Sequence, residues 1–292
     1  MISIVIISKN ELNIDSTLID ITAQAQTLEV PSEIIVVDAS GNRLDHIRRR
    51  HEGTVRWEQF QPLPGTGVSI PHQRNVGVRS ANGEIIVFTD AGCRPEPAWL
   101  KNLVRPLFHG EQITAGLAVS ASHDSGLYGR TTELVRSSRY LTECATVNLA
   151  FRREVFDAIG GFDERFAYGS DIDFSWRLVE FGYRIRSVPE AVVLRQDWGT
   201  WRRQLRRSYV YGRARARLYR KHRTKVRHIL RTDPMVVVYP AFLLGLPLTM
   251  IFPPYPAFLL IPAWRNRSLG AARVVTDHLA FGVGVLAEVI LR

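Results

Sequence analysis

The sequence of 292 residues has few cysteines. Its two cysteines, Cys93 and Cys144, match no metal-site or redox spacing, so we expect reduced thiols packed as small apolar groups. The first residues, MISIVIISKN, have no basic region and no cleavage site. They predict a first β-strand rather than a signal peptide, and therefore a globular part that stays in the cytoplasm.

The familiar phosphate-binding and zinc-binding motifs are also absent. There is no Walker A loop and no His-Glu-x-x-His pair, and GTGVSI (65–70) lacks the third glycine and the preceding strand of a dinucleotide fingerprint. A phosphate-bearing ligand would therefore have to be neutralised by a metal ion or by arginine.

Acidic residues are nearly missing from residues 195–231. This segment holds fourteen Arg or Lys and a single acid, Asp197, in a chain of net charge +10. Such a basic segment indicates a polyanionic partner, either nucleic acid or an anionic membrane surface.

Charged residues are missing altogether from residues 234–264, which contain seven prolines. The run is long enough to cross a bilayer, but its prolines favour two short segments that break near Pro253-Pro254, or a re-entrant hairpin. The arginines beside it match the positive-inside pattern and suit an anionic cytoplasmic leaflet. A soluble helical subdomain or a dimer interface is the alternative.

Continuous apolar strands alternate with helical stretches in the first half of the chain. The pattern predicts βαβ units and a mostly parallel sheet covered on both faces. Predicted strands are 2–8, 33–40, 55–60, 84–90, 113–121 and 144–151, the last antiparallel; predicted helices are 12–29, 43–51, 72–81 and 98–109.

Three short polar sequences follow predicted strands: SKNE (8–11), DAS (38–40) and DAGC (90–93). Ligands of such sheets bind beyond the carboxyl ends of the strands, so the sequence predicts a ligand site that includes Asp38 and Asp90.

The stretch YGSDIDFSWRL (168–178) places two carboxylates at the start of a predicted helix. Ser170-x-x-Asp173 fits a capping box, and negative charge suits a helix N-terminus. From this pattern alone the two carboxylates either cap the helix or take a proton, and capping is favoured.

Several segments together resemble the family 2 glycosyltransferases over about residues 1–195. They are ISIVIISKNE, EIIVVDAS, HQRNVGVRSANGEIIVFTDAGCRP, NLAFRREVFDAIGGFDERF and GSDIDFSWRL, in the order and spacing of that family. The resemblance implies the glycosyltransferase-A fold, a Rossmann-like and mostly parallel mixed sheet flanked by helices. It also implies transfer of a sugar from a nucleotide-sugar with inversion.

The resemblance further implies which residues bind the donor. Asp38 would lie against the nucleobase, and the turn with Ser8, Asn10 and Glu11 would line the same pocket. In HQRN, Arg74 would lie near the pyrophosphate and Asn75 would shape the loop.

The same resemblance assigns the reacting groups. Asp90, in the place of the first residue of the family's Asp-x-Asp motif, would contact the ribose or a divalent metal, Mg²⁺ or Mn²⁺. Asp171 would be the general base, and Asn148 and Arg152 would fall near the acceptor.

Three departures from the family pattern bear on this assignment. Gly92 replaces the second Asp of Asp-x-Asp, so we expect metal binding to be weak and dependent on the donor. Ser170 replaces a usual Glu, which leaves Asp171 as the candidate base. Arg195 and Gln196 occupy a region that often carries a His, where an arginine would stabilise the diphosphate.

The sequence therefore predicts three parts: a transferase domain (1–195), a basic helical linker (196–232) and an apolar membrane-associated segment (233–292). The predicted enzyme lies on the cytoplasmic face of the cell membrane and transfers sugar to a lipid-linked or cell-surface glycan. Two alternatives stay open: a nucleic-acid-binding protein on a degenerate transferase fold, and a soluble glycosyltransferase whose tail is a dimer interface. Nucleic acid is the disfavoured partner. A nucleotidyltransferase is disfavoured as well, because the first strand lacks the Gly- and Arg-rich loop that such enzymes use.

Overall fold

The structure is a computed structural model, which describes residues 1–62, 65, 67–120, 129–195, 200–259, 261 and 271–291. The described residues divide into two compact units. We call residues up to 195 the N-terminal unit and residues from 200 onwards the C-terminal unit.

The N-terminal unit is an α/β fold, as the sequence predicted. Its strands are β1 Ile2–Ser8, β2 Ser32–Asp38, β3 Arg56–Gln59, β4 Ile85–Asp90, β5 Arg94–Pro95, β6 Ile113–Ser120, β7 Tyr140–Leu141, β8 Leu149–Arg152 and β9 Ile185–Arg195. Its helices are α1 Ile14–Gln26, α2 Asp45–Arg50, α3 Ile70–Ser80, α4 Trp99–Phe108, α5 Gly129–Ser137, α6 Arg153–Ile159 and α7 Ser170–Glu180.

In the described part of the chain these strands form one sheet, in the order β3-β2-β1-β4-β8-β6-β9-β5, with β7 pairing to β9. The four strands β3, β2, β1 and β4 are mutually parallel. β8 pairs antiparallel to β4, as predicted. The result is a mixed sheet whose parallel half holds the predicted ligand edge.

The sheet is covered on both faces because its strands are apolar throughout. Along β1, Ile4 and Ile6 pack into the core that contains Leu18 of α1, whereas Val5 packs into the core that contains Phe88 and Val78 of α3. Alternate residues of one strand thus belong to opposite cores, as the two-residue period of a strand requires.

Strand register brings the predicted polar ends together. Ser8 pairs with Asp38 across β1 and β2, and Ile7 pairs with Asp90 across β1 and β4. Ser8, Asp38 and Asp90 therefore lie at one edge of the sheet, the carboxyl edge at which open α/β folds bind ligands.

The C-terminal unit is helical. Its helices are α8 Trp201–Lys221, α9 Ile229–Thr232, α10 Met235–Leu244 and α11 Ala271–Ile290. The α8 and α11 backbones approach so closely that a Cβ on Gly212 would lie 2.0 Å from the Phe281 carbonyl oxygen. A Cβ on Gly284 would lie at the same distance from the Tyr209 carbonyl oxygen. Glycine at both positions therefore permits this packing.

The proline-rich apolar segment is broken, as its prolines predict. After α10 it continues as short 3₁₀ turns at Leu246–Met250 and Tyr255–Leu259. In the described ranges, no helix combines the length and the apolar character needed to cross a membrane.

Candidate active site

The carboxyl edge of the parallel half contains buried polar atoms without partners. Within the described residues, Ser8 Oγ, Thr89 Oγ1 and Arg74 Nε are buried and make no hydrogen bond. Leaving a buried polar group unpaired costs about 1–3 kcal/mol, so such groups mark a place where a polar ligand can bind.

Arg74 lies on α3 beside Asp90. Its guanidinium Nη2 is 3.5 Å from Asp90 Oδ1, and its Cζ lies 5.7 Å from the centre of the Phe162 ring. The Arg74 side chain is 8% exposed and that of Asp90 is 34% exposed. The structure thus brings together Arg74 and Asp90, the two residues predicted to bind the diphosphate or its metal ion. The long contact pairs the Arg74 guanidinium only weakly with Asp90.

Asn75 is hydrogen-bonded to the loop that contains Phe162. Its Nδ2 donates to the Phe162 carbonyl (2.9 Å) and to Glu164 (2.8 Å), and its Oδ1 accepts from the Phe162 N–H (2.9 Å). These bonds fix Phe162 under the Arg74 guanidinium. Sequence reasoning missed Phe162, whose only signal was its place in the quoted GGFDERF segment.

Asp38 is 1% exposed and is committed to the loop between β2 and α2. Its Oδ1 accepts from the Ser40 N–H (3.1 Å) and from the Ser40 hydroxyl, and Ser40 Oγ in turn accepts from the Asn10 N–H (2.6 Å). Asn10 adopts a left-handed φ of 59°. The chain from Asp38 through Ser40 to Asn10 therefore connects the two loops predicted to hold the nucleobase.

Gln73 is a positioning residue that sequence reasoning missed. It is buried, and its Nε2 donates to the backbone carbonyls of Ser8 (3.0 Å) and Val37 (3.1 Å). It therefore joins α3 to the ends of β1 and β2. Its signal in the sequence was only its place beside Arg74 in HQRN.

The turn after β4 explains why residue 92 is glycine. The Cys93 N–H donates to the Asp90 carbonyl (3.3 Å), and Gly92 has a φ of 83°. This is the conformation that the third residue of a type II turn requires. Thr17 of α1 fixes the turn, because its Oγ1 donates to the Cys93 carbonyl (2.8 Å) and accepts from the Gly92 N–H (3.1 Å).

Charges of both signs surround the Cys93 thiol. Burial raises its pKa to about 12; the Asp90 and Glu11 carboxylates raise it too, and the Arg195 guanidinium opposes them. The charges of Glu11, Asp90 and Arg195 therefore all act on this one thiol. The position of Arg195 near the diphosphate stays a prediction, and Gln196 lies outside the described residues.

Asp171 lies in the first turn of α7, with its carboxylate partly exposed. Burial raises the pKa of the nearby Cys144 thiol to about 12; a hydrogen bond from Ser175 opposes this, and the Asp171 and Glu143 carboxylates add to it. Glu143, which also accepts from Trp176 Nε1 (2.9 Å), is thus a second carboxylate of this region that sequence reasoning missed.

The predicted capping box is wrong. Gly169, with a φ of 79°, occupies the N-cap position of α7, and the cap has no side-chain hydrogen bond. Asp173 is instead completely buried and accepts from Arg177 Nε (2.8 Å). Since Arg177 also donates to the Ile159 and Gly161 carbonyls, Asp173 anchors the loop before Phe162.

The structure does not bring Asn148 and Arg152 to this edge as exposed side chains. Asn148 is 1% exposed; its Oδ1 accepts from Trp99 (2.9 Å) and its Nδ2 donates to the Leu117 (2.9 Å) and Ala191 (2.8 Å) carbonyls. Arg152 pairs with Ile85 at the opposite end of β4 and donates to the Leu107 carbonyl (2.8 Å). Both contacts stabilise the fold.

The residues near Asp90 suit a metal ion that is also held by a ligand. No group of three or more His, Cys, Asp or Glu that could bind a metal occurs among the described residues. The Asp90 carboxylate is partly exposed, and its Oδ1 lies 3.5 Å from the Arg74 guanidinium. Its oxygens still have lone pairs that a metal ion can use. Hard divalent cations accept such oxygen ligands and complete their shell with phosphate oxygens.

Comparison with known proteins agrees with the fold. The model described as glycosyl transferase family 2 matches residues 3–162, and that of glycosyl transferase family group 2 matches residues 126–272. A pre-mycofactocin glycosyltransferase of Mycobacterium tuberculosis is 28% identical over 179 residues, covering 56% of this chain and 36% of the relative.

A probable glycosyltransferase of Bacillus subtilis is 28% identical over 193 residues, covering 58% of this chain and 44% of the relative. The chain thus spans less than half the length of these two curated relatives.

A solved mannosyltransferase of Pyrobaculum calidifontis, in complex with GDP-mannose and Mn²⁺, superposes with a TM-score of 0.66. The match covers 100% of this chain and 87% of that one at 17% identity, so it bears on the fold alone. It confirms the predicted glycosyltransferase-A architecture. Because the family model spans more than half of the sequence, the chain belongs to glycosyl transferase family 2, a family of glycosyl-transfer enzymes.

Proposed function

We propose that the protein transfers a sugar, with inversion, from a nucleotide-sugar to a hydroxyl group of a lipid-linked or cell-surface glycan at the cytoplasmic membrane face. One observation carries the donor half of this proposal. At the carboxyl edge of the sheet, the buried Arg74 has an unpaired Nε and only a 3.5 Å contact to Asp90. A buried cation held so weakly is suited to a phosphate ligand.

The reaction is a single displacement. The acceptor oxygen forms a bond to the anomeric carbon while the bond from that carbon to the diphosphate oxygen breaks, and the electron pair leaves with the nucleoside diphosphate. Asp171 accepts the proton of the acceptor hydroxyl as general base. Its partial exposure in the first turn of α7 leaves the carboxylate accessible to an acceptor.

Negative charge that develops on the diphosphate needs positive charge nearby. Arg74, which lies 3.5 Å from Asp90, and Arg195, whose charge acts on the Cys93 thiol, supply it. A divalent cation bound through Asp90 would add to this neutralisation. The Mn²⁺ in the mannosyltransferase with a similar fold supports a divalent cation here, with Mg²⁺ as the other candidate.

The donor proposal is tested by incubating the full chain with a panel of nucleotide-sugars and measuring release of nucleoside diphosphate. We expect one donor to be hydrolysed slowly without acceptor and to raise the unfolding temperature. Each donor is tested with Mn²⁺ and with a chelator. If no nucleotide-sugar is hydrolysed or bound, the donor proposal fails.

The membrane half of the proposal rests on exposed apolar side chains of the C-terminal unit. Met250 is 88% exposed and Ile251 is 84% exposed, at the end of the Leu246–Met250 turn. Other large apolar residues of the same segment are also exposed: Val238, Leu244, Leu246, Leu248, Phe252 and Phe258. Continuous apolar exposure of this kind is typical of membrane or protein contact sites.

Exposed arginines of the same unit favour a membrane over an apolar protein partner. Arg202, Arg203, Arg206, Arg223, Arg227 and Arg231 are exposed. Each basic residue near an anionic bilayer contributes about 1 kcal/mol of binding, and apolar side chains that enter the interface add to it.

This proposal is tested by flotation with vesicles of anionic or neutral lipid. We expect the full chain to float with anionic vesicles and the variant Met250→Ser/Ile251→Ser to float several-fold less. The matched control is Leu12→Ser/Ile19→Ser, which removes exposed apolar residues from the N-terminal unit. If all three proteins float equally, or if no protein floats, the exposed apolar residues around Met250 do not bind lipid. A dimer interface would then be favoured, and sedimentation would detect the dimer.

A further inference from the structure

The space next to Gly92 is occupied by another carboxylate. A Cβ placed on Gly92 would lie 3.1 Å from Cδ and 3.4 Å from Oε1 of Glu11. A side chain at position 92 would therefore start where the Glu11 carboxylate already lies. Glu11 comes from the loop after β1, 81 positions earlier in the chain.

The Glu11 carboxylate lies at the turn that begins with Asp90. Gly92, whose Cβ position would meet Glu11, is the third residue of this turn, and the Cys93 N–H closes the turn by donating to the Asp90 carbonyl (3.3 Å). The Gly92 N–H is held by Thr17. The position of the Gly92 Cα relative to the Glu11 carboxylate is therefore set by hydrogen bonds.

The Glu11 carboxylate is itself oriented by its neighbours. Its Oε1 accepts from the Asn13 N–H (3.1 Å) and from Asn13 Nδ2 (2.9 Å), at the residue that precedes α1. Within the described residues no hydrogen bond to Oε2 is made, so this oxygen retains its lone pairs. One oxygen thus fixes the side chain and the other is available to a ligand.

We propose that Glu11 supplies the second carboxylate that faces the donor's divalent cation, in place of the one that Gly92 lacks. The proposal rests on the proposed function, because the cation is held jointly with the donor diphosphate. Asp90 and Glu11 then contact one ion from two loops, rather than from one Asp-x-Asp segment. Two carboxylates and two phosphate oxygens leave room for water in an octahedral shell.

The test measures the affinity of GDP and of UDP for the full chain by calorimetry, with saturating Mn²⁺ and with EDTA. The ratio of the two affinities reports the metal contribution without requiring activity. Glu11→Gln is isosteric, and its amide oxygen still accepts from Asn13, so the loop keeps its support. Glu96→Gln is the matched control, since it removes an exposed carboxylate beyond the same turn.

We expect Mn²⁺ to raise the wild-type affinity about tenfold or more, and Glu11→Gln to reduce this enhancement by about tenfold, the smallest loss usual for residues that support a metal site. The EDTA affinity of Glu11→Gln and both affinities of Glu96→Gln should equal those of the wild type. Asp90→Asn should abolish the enhancement, and adding Glu11→Gln to it should change nothing further.

The contrary results are distinct. If Glu11→Gln lowers the EDTA affinity and leaves the Mn²⁺ enhancement unchanged, Glu11 contacts the nucleoside and the inference is wrong. A wild-type protein that binds nucleotide without any Mn²⁺ enhancement also contradicts it, since no ion then remains for Glu11 to face. If neither GDP nor UDP nor any nucleotide-sugar binds the wild type, the proposed function itself fails.

Discussion

The two units use arginine in opposite ways. In the N-terminal unit, Arg74 is buried with an unpaired Nε and one contact of 3.5 Å to Asp90. In the C-terminal unit, Glu288 is completely buried and Arg213 Nε donates to its Oε2 (3.0 Å). Arg217 Nε lies 2.9 Å from Glu288 Oε1 without hydrogen-bond geometry, and Arg220 Nη1 lies 3.8 Å from it.

This difference separates charge that is available to ligands from charge used within the fold. The sequence of residues 195–231 gives a large positive excess, which indicates a polyanionic partner. Glu288 contacts Arg213, Arg217 and Arg220, and Asp233 pairs with Arg215 (3.1 Å). These two acids, which lie outside residues 195–231 in the sequence, offset two of the fourteen positive charges of that segment.

The largest effect should come from Asp171→Asn in the N-terminal unit. Loss of a general base typically lowers the rate about 10²–10⁴-fold, and donor affinity should not change because Asp171 acts on the acceptor. Turnover of the donor identified in the hydrolysis panel measures the rate. Glu180→Gln, an exposed carboxylate on the same helix, is the control, and near-normal turnover of Asp171→Asn would remove that residue from the role.

In the C-terminal unit, Glu288→Gln should lower stability rather than donor binding. Hydrogen bonds to a charged group contribute about 1.5–3 kcal/mol, and the loss should lie in this range because the arginines are partly exposed and stay hydrated. Urea unfolding measures the loss, and Glu190→Gln, an exposed carboxylate of the N-terminal unit, should leave stability unchanged. A cost below about 1 kcal/mol would mean that water neutralises these arginines.

The C-terminal unit should also lose stability in acid. Burial lowers the pKa of His278 to about 4, and its Nδ1 lies 2.6 Å from the Tyr239 hydroxyl. His278 binds a proton near pH 6.5 in the unfolded chain, but in the folded chain only near pH 4. The stability that comes from neutral, buried His278 is therefore complete above pH 6.5 and is lost as pH falls towards 4. The expected loss is about 3 kcal/mol.

Unfolding free energies measured between pH 7 and 4 test this slope. His278→Gln should flatten it, whereas His228→Gln, at an exposed histidine, should not. An unchanged slope in His278→Gln would assign the acid sensitivity to other groups.

Strand pattern and polar strand ends were readable from the sequence because both are local properties. The parallel character of β1, β2 and β4 and the shared edge of Asp38 and Asp90 were predicted from them, whereas the order of the strands was not. The positions of Arg152 and Asn148 were not readable, since they depend on which strands neighbour β8 in the sheet and on a bulge in β6 at Gly116/Leu117.

Supporting residues escaped prediction for a related reason. Thr17, Gln73 and Phe162 act across 65 or more positions of the chain, through contacts that no local pattern records. The capping box failed because Gly169 already provides the left-handed residue that begins α7, which leaves Asp173 to pair with Arg177. The opposite case is Gly92, where an apparent loss of a carboxylate is matched by Glu11 in space.

The most direct test of the donor site compares Arg74→Met with Arg213→Met. Calorimetry measures the affinity of each variant for the nucleotide-sugar that stabilises the wild type, and urea unfolding measures stability. We predict that Arg74→Met loses about tenfold or more in affinity, since a charge-assisted hydrogen bond contributes about 1.5–3 kcal/mol, and keeps its stability. Arg213→Met should lose stability and keep its affinity. Equal donor affinity of Arg74→Met and the wild type would contradict the assignment of this edge as the donor site.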